Sequence, residues 1–134
     1  MSARPRRRGQ AMVEFALAAP ILFLMLFGVI EGGRLMWTNH ELTNGTREGA
    51  RVAMVGGANA TTPATQASIE AAILDRTAGL DAGRLTVAPP ANLGGVPGTT
   101  VVVAATYDYQ PIIGMIFGMG VIELNARSEV IIQH

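Results

Sequence analysis

The chain of 134 residues has no cysteine. No disulfide can staple it in any compartment, so packing, a membrane or neighbouring subunits must hold it together. Histidine occurs only at His40 and His134, and serine only at Ser2, Ser68 and Ser128. Two distant histidines without an acid at helical spacing make no metal signature. None of the serines sits in a nucleophile elbow. Asp75 and Asp81 flank Arg76 as a solvated helix end, and Val96 and Pro97 interrupt the glycines of 94–98, which therefore make no phosphate loop. No nucleophile, base and orienting group can be assembled from these residues, so neither an enzyme nor a cofactor is expected.

Charge is absent on balance but unevenly placed. Arg4, Arg6, Arg7 and Arg8 precede any acid, and the remaining six arginines face ten acids. That acidic remainder argues against nucleic acid as a partner, because phosphates need a basic face. Behind the arginines, Ala11 to Ile30 is apolar except for Glu14. Twenty such residues match the length a helix needs to cross a hydrocarbon core. The run is too long for the apolar region of a secretory signal, and no small-x-small cut site ends it. Arg-Arg alone is a weak twin-arginine signal. A single membrane helix is expected, with its N-terminus cytoplasmic and its C-terminus outside. Membrane helices tolerate the interior Pro20, with a gentle kink as the expected consequence.

Glu14 is the costly residue in this run, by a few kcal/mol on insertion scales. Two readings stand. Near the start of the helix its carboxylate can snorkel to the headgroups. Alternatively, a cut between Gly9 and Gln10 would expose a new amine, and pairing with it would offset the desolvation of Glu14.

The helix is expected to continue beyond the bilayer to about residue 55, with a weak point at Gly32-Gly33. Leu35, Leu42 and Gly49 recur every seven residues, each followed three places on by Thr38, Gly45 and Val52. This narrow seam of small and apolar residues would pack on the protein's own domain or on another subunit. Gly56-Gly57 ends the helix. Thr62 as N-cap and Pro63 at the first helical position predict a second helix, with Ile69, Ala72, Ile73 and Leu80 on one face and Gly79 as its stop. Strands are predicted at Leu85–Val87, at Val101–Tyr109 with its odd-numbered residues on one face, and from Leu124 to Ile132 by alternation. Between the last two, IIGMIFGMGVI (Ile112 to Ile122) is too short to span a bilayer and reads as a buried loop closing the core, with a contact surface as the lesser reading. The expected fold is α+β: a leader over 1–9, a transmembrane and extended helix over 10–55, and an outer domain over 56–134 with one helix and about three antiparallel strands.

The order of these motifs carries a resemblance. A basic leader and Gly9 lead into Val13-Glu14-Phe15-Ala16-Leu17 with Pro20. Gly28, Glu31 and Gly33-Arg34 follow, then Thr46-Arg47-Glu48-Gly49-Ala50-Arg51-Val52-Ala53. Over about residues 6 to 54 this resembles the TadE-like minor pseudopilins of the Tad (tight adherence, Flp) pilus system. The resemblance implies cleavage by a prepilin peptidase between Gly9 and Gln10, and a role for Glu14 in processing and assembly. Phe15 stands where major Flp pilins have tyrosine. The outer domain also makes this chain much longer than those pilins, so a minor pseudopilin is implied. Its implied partners are the lipid bilayer, the prepilin peptidase, other pilins and pseudopilins, and the inner-membrane assembly platform. The competing expectation is a single-pass anchored extracytoplasmic binding module with no filament role.

Overall fold

The computed structural model describes residues Arg6 to Gln133, with side chains described from Gly9 onward except at 115–117. Arg4 and His134 lie outside the described residues. Helix α1 runs from Arg6 to Val55 without a break, through Pro20 and through Gly32-Gly33. Its 50 residues make a rod about 75 Å long at 1.5 Å per residue. It starts before the expected boundary at residue 10, so Arg6 to Gly9 of the proposed leader are already helical.

The outer domain is built around the C-terminal half of this rod. Helix α2 (Gln66–Arg76), strand β1 (Leu85–Val87), strand β2 (Thr100–Tyr109), helix α3 (Ile112–Phe117) and strand β3 (Ile122–Ile131) follow in order. The sheet has the order β1-β2-β3, antiparallel throughout, with Leu85 opposite Tyr107 and Ala105 opposite Ala126. The period-two alternation of β2 places Val101, Val103, Ala105, Tyr107 and Tyr109 on the buried face, as its sequence predicts. α1 and α2 cover that face. One end of the core joins Ala50 and Ala53 to Ile69, Ile73, Val101, Val103 and Ile132. The other joins Leu42 to Ala105, Tyr107, Tyr109 and Ala126.

The heptad seam of α1 is therefore filled by its own domain. Thr38, Leu42, Gly45 and Gly49 are buried. A Cβ on Gly49 would come within 2.8 Å of the Ile73 side chain, so glycine lets α2 approach this closely.

Three local expectations fail, each for a physical reason. α2 begins after Thr65, not Thr62. The Thr65 hydroxyl accepts from the Ser68 N–H at 3.2 Å, and the Ser68 hydroxyl accepts from the Thr65 N–H at 2.9 Å, a reciprocal cap. Ala64 is meanwhile committed elsewhere, its N–H donating to the Gly56 carbonyl at 2.7 Å. Gly79 does not stop α2, which ends at Arg76; it lies under the Trp37 ring, where a Cβ would sit 2.8 Å from the indole. The segment from Ile112 to Ile122 is not buried throughout: Ile113 is half-buried and Gly114 buried, but other described residues are not. Ile112, Met119, Val121 and Ile122 are all exposed.

Candidate functional site

Two regions carry the functional information, and both lie on α1. The first is its apolar half. None of the side chains from Ala11 to Ile30 is buried, and large ones such as Phe15, Leu17, Leu22, Met25 and Val29 are more than half exposed. Monomeric soluble proteins rarely expose so large an apolar surface. Among the described residues, this helix is the one long and apolar enough to cross a membrane. Glu14 lies exposed within this half; the Gln10 side-chain amide donates to one of its oxygens at 3.4 Å, a long contact. Gly9 and Gln10 are exposed on the preceding turn, and nothing crowds the position a Gly9 Cβ would take. The chain's own packing does not require glycine there. Pro20 and Phe15 likewise face outward.

The second region begins where the apolar run stops. Glu31 reaches from α1 into the outer domain. Its Oε1 accepts a short hydrogen bond from the Tyr109 hydroxyl at the end of β2, and its Oε2 accepts from the Ile112 N–H at the start of α3 at 3.0 Å. Arg34, one turn further on, donates to Oε1 at 3.2 Å and places its guanidinium 5.6 Å from the centre of the Tyr109 ring, within cation–π range. Tyr109 is only 3% exposed. Burial pushes its phenol up to about 12, and donation to Glu31 adds to the shift, because both oppose loss of the proton. The cluster fixes the domain to the helix at the residue where the helix would leave a membrane.

The remaining motif residues do something different. Glu48 and Arg51 form an exposed pair at 2.5 Å, one helical turn apart. Such a pair contributes little to stability. Arg47 is exposed beside them, and His40 is exposed on the same helix. The predicted residues thus fall into three sets. Among the described residues, Gly9, Gln10, Glu14, Phe15 and Pro20 pack against no other element, Glu31 and Arg34 join the helix to the domain, and Arg47, Glu48 and Arg51 decorate the surface. Tyr109 and the Ile112 N–H complete the junction, and their link to Glu31 is not legible in the sequence. They lie 78 and 81 residues from Glu31, and no local pattern links them. Among the described residues, no cluster of three or more acidic or histidine side chains could hold a metal ion.

No curated protein and no solved structure matches the chain. The family model described as TadE-like protein matches residues 9–51, from the glycine before the apolar run to the arginine of the Glu48–Arg51 pair, and over that segment the chain is similar to that family.

Proposed function

We propose that this protein is a minor pseudopilin that takes part in assembling a Tad-type pilus. The observation that carries the reading is the uncovered apolar half of α1, continuous with the helix on which the outer domain is built. A domain that merely needed an anchor has no use for a rigid rod running from bilayer to core. A filament subunit does, because the rod transmits its position in the helical bundle to the domain outside.

In this account α1 spans the inner membrane with its arginines held in the cytoplasm. A prepilin peptidase cuts between Gly9 and Gln10. Both are helical before the cut, and glycine weakens a helix by about 1 kcal/mol relative to alanine, so local opening there costs little. Cleavage removes the four leader arginines, which resist outward movement, and leaves an amine at Gln10. The apolar half then leaves lipid only if other pilin and pseudopilin helices cover it at the assembly platform. Gly28 and Gly32, four residues apart with open space over both, allow such helices to come close. Glu14 pairs with the Gln10 amine of its own or a neighbouring subunit, which offsets its desolvation and sets axial register.

Glu14→Ala tests this reading. The variant should insert in the membrane as the native chain does but fail to support piliation, scored by the sheared pilus fraction against the membrane fraction. Normal piliation with Glu14→Ala refutes the assigned role.

A further inference from the structure

The segment from Ile112 to Ile122 has eleven residues and no charged or polar side chain among them. In a water-facing loop that composition is anomalous, and most of its described large side chains are exposed: Ile112 is 49% exposed, and Met119 and Val121 are each 58% exposed, while Ile113 is half-buried. α3 ends in a left-handed Gly118, and the Met119 N–H closes back onto the Gly114 carbonyl at 2.9 Å. Gly114 is buried in the turn, where a Cβ would come 3.1 Å from the Met119 carbonyl oxygen.

The position of this loop gives the composition its meaning. The outer domain lies lengthwise along α1. At its far end the Gln133 N–H donates to the Met54 carbonyl, and at its near end the Ile112 N–H donates to Glu31. Twenty-three helical residues separate those levels, about 35 Å. The β2–β3 connection is therefore at the end of the domain nearest the apolar half of α1, level with the residue directly after Ile30. If Ala11 to Ile30 fill the hydrocarbon core, that level is the boundary between acyl chains and headgroups. Arg34 stands one turn further out, and the half-exposed Trp37 is about 10 Å beyond Ile30, the region where basic and aromatic side chains collect at membrane surfaces.

We propose that the connection from Ile112 to Ile122 is a second membrane contact, immersed in the outer-leaflet interface with Ile112, Met119, Val121 and Ile122 among the lipids. The occupant is lipid because the exposed apolar surface of the loop continues that of α1 at the same level, with Glu31 joining the two. Two contacts fix what one helix cannot: the rotation of α1 about its own axis and the face the domain turns to its neighbours. Entry into a filament would then require withdrawal of the loop together with the helix.

This inference rests on α1 spanning the bilayer, and the test keeps the two separable. The chain has no native cysteine, so single-cysteine variants can be spin-labelled directly. Met119→Cys and Val121→Cys are compared with Val29→Cys in the apolar half and with Leu74→Cys on exposed α2, in nanodiscs of phosphatidylethanolamine and phosphatidylglycerol carrying one copy each. Oxygen partitions into lipid and a water-soluble nickel chelate does not. The ratio of oxygen to nickel collision rates at 119 and 121 should exceed that at 74 several-fold and approach that at 29. Ratios at 119 and 121 equal to that at 74, with 29 lipid-like, overturn the second contact and leave the anchor standing. Shielding of 119 and 121 from both reagents marks a protein-covered surface and also overturns it. A water-like ratio at 29 overturns the anchor and the loop contact together.

Discussion

Replacing Glu31 with alanine removes the acceptor that joins α1 to the end of the sheet. The consequences follow from what each partner is left with. The Tyr109 hydroxyl, on a residue 3% exposed, loses its acceptor, and a buried unsatisfied donor costs about 1–3 kcal/mol. The Ile112 N–H is on a half-exposed residue, and interfacial water or a headgroup can replace the carboxylate there. Arg34 is also exposed, and its pairing contributes at most about 1 kcal/mol. Glu31→Ala should therefore destabilise the outer domain by about 2–3 kcal/mol. Tyr109→Phe removes the donor as well as the bond, leaving Glu31 its backbone and arginine partners, so its cost should be about 1 kcal/mol. The two changes share one interaction, and the double variant should be more stable than their sum predicts by about 1–2 kcal/mol. Urea unfolding in detergent micelles can follow the single tryptophan, Trp37, which packs on Gly79. Strict additivity of the two substitutions, or a Glu31→Ala variant as stable as the native chain, would refute the assigned junction.

Other predictions follow from close contacts and from titration. Gly56→Ala should destabilise the domain by about 2 kcal/mol or more, because its Cβ would lie 2.4 Å from the Ala64 Cβ and 2.5 Å from that residue's backbone nitrogen. Gly32→Ala, with open space around it, should leave monomer stability unchanged or slightly higher in the same assay. Tyr109 is raised from an ordinary 10.0 to about 12 in the folded protein, so its contribution is fully present below pH 10 and lost as pH rises from 10 to 12. Tyr109→Phe should remove that alkaline slope from the unfolding free energy.

Elements whose pattern is local could be read directly from the chain. The apolar run with one carboxylate defines the membrane-length part of α1, and strict alternation defines β2 and its buried face. The stop at Gly56 was also legible, but for the wrong reason. Its backbone is not left-handed, and glycine is needed because Ala64 packs against it. The start of α2 was misread because Thr62-Pro63 and Thr65 are both credible caps. Only the reciprocal bond to Ser68 and the closure of Ala64 onto Gly56 decide between them. The role of Glu31 was invisible for a different reason. A glutamate at the end of a membrane helix is ordinary, and its meaning comes from Tyr109 and Ile112, brought to it by the fold. The loop after β2 was assigned to the core because apolar residues usually belong there. The fold instead leaves Ile112, Met119, Val121 and Ile122 exposed, so apolar composition alone does not place this segment.

The pilin-type role of α1 is tested most directly at its N-terminus. Intact-mass measurement of the membrane-extracted protein, made in cells with and without an active prepilin peptidase, reports whether the chain begins at Met1 or Gln10. The account predicts loss of residues 1–9 only when the peptidase is active. A full-length chain in both strains, with a major pilin processed normally alongside it, would contradict processing. It would leave the helix as an anchor for the domain it carries.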